Sequence, residues 1–577
     1  MKKGFVFIFL LTTQLSVFGQ KKFVTPFEKS LGKQTATYYE TIAFYQALAK
    51  QFNIIILNKV STTDAGLPLH LVIISSGNQF DVVKWHKQGK LVILINNGIH
   101  AGEPDGIDAS MMLMRDLASK KIALPANVAV AVIPVYNIGG VLNRNSFSRV
   151  NQEGPESYGF RGNSQNLDLN RDFTKNDSKN ALAFAKIFHY LDPDIFIDNH
   201  VSDGADYQHV MTLLTTQHNK LGGALGTYLH NTFEPALYKA TESKGMIMTP
   251  YVNFEEGNPE KGWSAFYDAP RYSCGYTALF QTIGFTPETH MLKSFKARVE
   301  ATYTLMQQMI DVGSKEAVAL KKAKQQMITE VKQQKEFPLS WKLDTTSHET
   351  ITFKGYEAGY KKSNITGLPR LYYDRLKPFT KQVNYYNTFK PEKIVTLPQF
   401  YIIPQGWWSV IERLQANKVM MKKVERDTNI MVEAYRIEQY KSSANPYEKH
   451  HKNFEVVVSK SNTTLPFLKG DYIIECNQRA NRYLAEMLEP TGDDSFFAWN
   501  FFDAVLQQKE GYSDYRWEDV AEKYIAEQPL LKQQLEEKKK ADSAFAASAS
   551  AQLNFIYKNS PYYEPAHMRY PVYRWNP

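Results

Sequence analysis

Cysteine is almost missing from this chain: two thiols, Cys274 and Cys476, in 577 residues. Two cannot build a disulfide framework or an all-thiolate zinc site. A single bridge between them stays open in an oxidising compartment. Long apolar runs are lacking as well. Past the N-terminus, nothing approaches the ~18 consecutive apolar residues that cross a bilayer, so no transmembrane segment is expected in the mature chain. Blocks of one charge are missing too. The formal net charge is +9, or +7 without Lys2 and Lys3, and the excess is spread along the chain. With no basic patch interleaved with aromatics, nucleic acid is not the expected partner. Aromatics are plentiful, at 13% with 34 Tyr and 34 Phe, which argues against disorder. The length exceeds what one core normally organises, so more than one domain is expected.

The chain begins MKKGFVFIFLLTTQLSVFGQ. A short basic start, an apolar run too short to span a bilayer, and small residues before Gln20 form the pattern of a secretory signal peptide over residues 1–19. Export to the periplasm or beyond is the expectation.

Residues 37–52 carry apolar and aromatic side chains at helical spacing. NIIILNKV, LHLVIISS, KLVILINN, NVAVAVIPVYN and DIFIDNHVS read as strands. The nearly all-apolar ones suit a sheet covered on both faces. Helical patterns at 103–119 and 180–191 lie between them. The alternation predicts an α/β fold with a mixed, largely parallel sheet flanked by helices. A polar helical stretch over roughly 293–336 closes this half. Shorter β-branched and aromatic runs follow, then mostly helical sequence. The expected division is a catalytic domain over 20–315, a linker helix over 316–336 and a C-terminal α+β region over 337–577.

Function gathers at strand ends in such sheets. NNGIHAGEPDG (96–106) follows the run LVILI and places His100 three residues before Glu103. DNH places His200 at the end of another interior strand. Two imidazoles and one carboxylate at separate strand ends leave a zinc ion the open fourth position that catalytic sites need. Hydrolysis also requires a base near the attacking water, and Glu288 in GFTPETH is the candidate. NLDLNRDF (166–173) offers Asn170 and Arg171, whose guanidinium fork suits a carboxylate.

In this order, GIHAGEPDG, NLDLNRDF, DNH and TPETH resemble the motifs of the zinc metallocarboxypeptidase family, carboxypeptidase A type, over about residues 35–310. The resemblance implies that fold, one zinc ion per chain held by His100, Glu103 and His200, and a peptide substrate with a free C-terminus. It implies Glu288 as general base towards a zinc-activated water. Asn170 and Arg171 would then bind the terminal carboxylate, and Asp168 would orient a ligand histidine. Arg149 resembles the arginine that polarises the scissile carbonyl, with Arg161 as competitor. The substrate-binding tyrosine is expected at Tyr276, with Tyr272 and Tyr267 as alternatives. Arg271 falls where the specificity pocket is built, either favouring an acidic side chain or serving structure. Two departures stand out: YNIGG replaces the family's usual Asn-Pro-Asp-Gly turn, and Asp172 stands where Asn is common. The competing expectations are an amidase or carboxypeptidase acting on peptidoglycan stem peptides, and an inactive peptide-binding relative. The intact His100, Glu103, His200 and Glu288 argue against the latter.

Overall fold

The apolar runs assemble into one sheet. The computed structural model describes residues 23–254 and 259–577, so the expected signal peptide lies outside the described residues. The strands are β1 (Ile55–Thr62), β2 (Pro68–Ser75), β3 (Leu91–Asn96), β4 (Val128–Ile133), β5 (Ile195–Asp198), β6 (His200–Ser202), β7 (Met211–Thr215), β8 (Thr249–Pro250), β9 (Trp263–Ser264) and β10 (Ile283–His290). All but β9 join the main sheet, in the order β1-β2-β4-β3-β5-β10-β7-β8, with β6 beside the end of β10. Strands β4, β3, β5 and β10 run parallel. The outer pairs β1–β2, β2–β4 and β10–β7 run antiparallel. Every residue of β3, β4 and β5 is buried, as their unbroken hydrophobicity requires of strands covered on both faces.

Helices supply that cover. Helix Tyr38–Gln51 starts at a capping box, in which Thr37 and Glu40 satisfy each other's backbone N–H. Helix Lys179–Leu191 packs on β1, β2 and β3, and the 39-residue helix Phe295–Gln333 packs on β3, β4, β7 and β10 and on helix Asp105–Ala118. The long helix is unbroken through residues 316–333.

The described chain divides into two compact units. The first holds the residues up to Leu397 together with Glu412–Met420 and Cys476–Met487. It therefore continues past 336 into β11 (Glu336–Leu343), β12 (Glu349–Lys362), β13 (Pro369–Tyr386) and β14 (Phe389–Thr396). The reason is apolar packing. Phe353 of β12 and Val383 of β13 share one buried cluster with Tyr207, Val252 and Trp263. Gln208 also donates from its side-chain amide to the carbonyls of Gly355 and Phe379, each at 2.9 Å. The second unit holds a six-stranded sheet that includes long strands Thr428–Ser442 and Asn453–Phe467, and a helical cluster built around Trp517, Leu535, Phe545 and Leu553. Both cysteines are buried, and no disulfide joins them. No helix among the described residues is long and apolar enough to cross a membrane.

The GEPDG turn is locked between sheet and helix. Asp105 is buried and pairs with buried Arg298 of the long helix, Nε to Oδ2 at 3.0 Å, and accepts from Thr289 of β10 at 2.5 Å. Gly106 lies against the ends of β3 and β5. A Cβ there would stand 2.4 Å from Asn97 Oδ1 and 2.6 Å from Asn199 Cβ. Neither side chain can yield, because Asn199 donates to Asn97 Oδ1 and Asn97 donates to Ser110 and the Ile133 carbonyl. Gly106→Ala should therefore cost about 1–3 kcal/mol of stability by overpacking, read as a lower denaturation midpoint with an unchanged slope.

Candidate metal centre

Three neighbouring parallel strands, β3, β5 and β10, end on the same edge of the sheet. His100 and Glu103 follow β3, His200 opens β6 directly after β5, and Glu288 lies in β10 opposite His200 in the register. Residues 188 positions apart are thus neighbours at one sheet edge, where side chains converge in open α/β sheets.

His100, Glu103 and His200 are buried, and one potential ligand atom from each lies within 4.8 Å of the others. Both Nδ1 atoms face Glu103, that of His100 at 3.1 Å from Oε1 and that of His200 at 3.3 Å from Oε2. Both Nε2 atoms are engaged by carboxylates at 3.0 Å, His100 by Asp168 and His200 by Asp198. An imidazole that gives its Nε2 proton to a carboxylate presents the Nδ1 lone pair to a metal. Asp168 also accepts from the Asn170 backbone N–H, and Asp198 from the side chain of Asn96 in β3. Two nitrogens and a carboxylate, oriented in this way and open to a cavity, fit zinc with a coordination place to spare.

The charges are strongly tuned. Burial acts to raise Glu103, but His100 and Arg149 outweigh it and hold the carboxyl well below its usual range. Burial likewise opposes ionisation of Asp168, yet His100 and Arg161 hold it well below that range. Burial disfavours a proton on His200, but Asp198 and Glu103 raise it well above the ordinary imidazole value. Glu288 is pushed up to about 8, chiefly by burial and also by the charge of Glu103. A divalent ion at the triad would bring it down again, since a bound cation is the largest local charge in such a site.

A cavity of about 530 Å³ opens beside the triad. Arg149, Arg161, Asn170, Arg171 and Glu288 all line it. Arg149 Nη1 lies 2.9 Å from Glu103 Oε1, whereas Arg161 is committed to Asp168 Oδ2 at 2.8 Å and stands 3.7 Å from Glu103. Arg171 stacks over Tyr272, 4.4 Å from the ring centroid. Asn170 Oδ1 accepts the backbone N–H of Ser273 at 3.0 Å, which joins the Asn-Arg pair to helix Ser273–Leu279.

Tyr276 does not belong to this group. It is fully buried, packs on Phe173, Phe188 and Phe280, and donates to Asn417 Oδ1 at 2.7 Å. Its place in helix Ser273–Leu279 turns it into the core, away from the cavity. Tyr272 and Tyr251 are the tyrosines that line the cavity. Arg271 is not among the lining residues and lies near the Tyr272 ring. Asp198 was not singled out from the sequence, although its position two residues before His200 carried the signal, because alternate residues of a strand share a face.

Residues 41–205 match the family model described as zinc carboxypeptidase, Peptidase_M14. Similar solved structures include carboxypeptidase A from Helicoverpa armigera, at 17% identity and a TM-score of 0.37, covering 50% of this chain and 74% of that one. A metallo-carboxypeptidase from Burkholderia cenocepacia stands at 15% and 0.35, covering 48% and 69%. One from Pseudomonas aeruginosa, in complex with (2-guanidinoethylmercapto)succinic acid, stands at 14% and 0.36, covering 48% and 68%. No curated protein matches the chain in sequence. With the family model spanning His100, Glu103, Asn170, Arg171 and His200, residues 41–205 carry a zinc carboxypeptidase domain of the peptidase M14 family.

Proposed function

We propose that this chain is an exported zinc metallocarboxypeptidase that hydrolyses the last peptide bond of substrates with a free C-terminus. The observation that carries the reading is the convergence of a metal triad, an acid–base carboxyl and an arginine–asparagine pair on one cavity. The signal-peptide pattern of residues 1–19 supports export.

His100, Glu103 and His200 would hold the ion, with Asp168 and Asp198 fixing the two rings. When bound, zinc supplies Lewis acidity, which lowers the pKa of water and polarises a carbonyl. Arg171 and Asn170 grip the terminal carboxylate and so set the register of the scissile bond. Arg149, beside Glu103, donates towards the carbonyl oxygen as negative charge develops there. Glu288 takes the proton from the attacking water and delivers it to the departing amine nitrogen. Its place in β10, opposite His200, holds it at a fixed distance from the triad.

Three outcomes follow. Glu288→Gln should keep its zinc, read by elemental analysis, and lose about 10²–10⁴-fold in kcat; unchanged turnover removes Glu288 from the proton path. Arg171→Ala should weaken hydrolysis of free-ended peptides and leave residual activity on amidated ones unaltered, and equal losses on both would dismiss the carboxylate grip. Asp198→Asn should lower zinc affinity about 10–100-fold in a competitive chelator titration, and an unaltered affinity would show that the His200 ring needs no such partner.

A further inference from the structure

The hairpin of β12 and β13 runs on past the packing that holds it. Its root is fixed. Phe353 and Val383 sit in the cluster around Tyr207 and Trp263, and Arg375 pairs with buried Asp206, Nε to Oδ2 at 2.6 Å. The register shifts once, between Tyr356 and Glu357, and pairing then continues to Lys362 opposite Pro369. Every residue from Asn364 to Arg370 is exposed. Ile365 is 93% exposed and Leu368 66%, with Tyr360 at 69% two pairs below the last. Apolar surface gathered in one place and rimmed by polar groups marks an interaction site.

The turn that presents these side chains is ordered. Ser363 donates its N–H to the Leu368 carbonyl at 2.8 Å, and its own carbonyl accepts from Gly367 at 3.0 Å. Its hydroxyl oxygen accepts the N–H groups of Ile365 and Thr366, each at 3.1 Å, and the Thr366 hydroxyl accepts that of Leu368 at 3.3 Å. Gly367 takes the positive φ, 71°, at which the turn closes. These bonds occupy N–H groups that would otherwise need water, as a segment entering lipid requires.

Charge narrows the partner. Between Ala358 and Tyr373 there is no acidic residue, and the basic ones are Lys361, Lys362 and Arg370. Lys361 and Arg370 stand directly opposite each other in the ladder, where like charges destabilise a sheet. Glu357, the acid that precedes this stretch, is paired with Lys377 at 3.3 Å. Like charges around an apolar tip are unfavourable in water. Against a negatively charged bilayer they are favourable, since the headgroups supply counter-charge and the acyl boundary takes the aliphatic groups. Tyrosine side chains such as Tyr360 settle at headgroup level. A nucleic acid or an acidic protein would meet the cations but leave Ile365 and Leu368 in water.

We propose that the tip of this hairpin docks the protein on an anionic lipid surface. Ile365 and Leu368 enter the headgroup region, and Lys361, Lys362 and Arg370 meet lipid phosphates. The docking surface is separate from the metal centre and does not depend on the reaction carried out there.

The test uses the zinc-loaded mature chain, residues 20–577. It is co-sedimented with vesicles of phosphatidylglycerol and phosphatidylcholine in equal parts, and with vesicles of phosphatidylcholine alone. The protein should partition to the anionic vesicles at least tenfold better, and added salt should weaken that binding. Ile365→Ser combined with Leu368→Ser should lower it about tenfold or more. Replacing Lys361, Lys362 and Arg370 together by Gln should lower it about 100-fold, since each basic group near such a surface contributes about a factor of five. All five side chains are exposed, so denaturation midpoints and peptide hydrolysis without vesicles should stay as in the wild type. Equal partition to both vesicle types, no partition to either, or unaltered binding by either variant would overturn the proposal. Retention on immobilised heparin without vesicle binding would assign the cations to a soluble polyanion and overturn it as well.

Discussion

Parallel pairing of β3, β5 and β10 is the constraint on which everything else rests. Neighbouring parallel strands must finish on one edge, so whatever follows each of them is delivered to the same place. The hydrogen bond from Asn96 in β3 to Asp198 in β5 ties two of these ends together, and Asp198 passes that order to the His200 ring. The Asp105–Arg298 pair and the close fit at Gly106 do the same for the turn that carries His100 and Glu103. Groups at the strand ends thus orient His200 and the turn that carries His100 and Glu103, while Asp168, which engages the His100 ring, comes from the segment between Leu142 and Lys179.

Electrostatics follows from the same packing. Four carboxylates, Glu103, Asp168, Asp198 and Glu288, crowd two imidazoles, with Arg149 and Arg161 beside them. Glu103 and Asp168 stay ionised because cations face them, while Glu288 is driven towards its neutral form by burial. Two kinds of carboxyl, one fixed as an anion and one able to take and return a proton, can share a site only if their surroundings push them apart.

Much of this was legible in the sequence because hydrophobic runs and polar strand ends are local signals. LVILI, VAVAVI and DIFID announced buried strands, and the motif residues at their ends fell where the sheet places them. Tyr276 was misjudged because its helix turns it into an aromatic core whose members come from 173, 188 and 280, a grouping no short window contains. The change of texture near 337 was real as a change from helix to strand. It was not a change of packing unit, since Phe353 and Val383 join Tyr207 and Trp263 across 90 residues or more.

β10 enters the sheet between β5 and β7 although more than eighty residues separate it from β5 in the chain. The stretch matched by the family model stops at 205, so it holds both histidines but ends before the strand that completes their shelf. Expressed alone, that stretch would offer the open flank of β5 to any passing strand, and self-association would compete with folding. The smallest piece worth producing in isolation is accordingly set by the last strand to arrive and by the hairpin seated on Tyr207, not by the limits of the recognisable motifs.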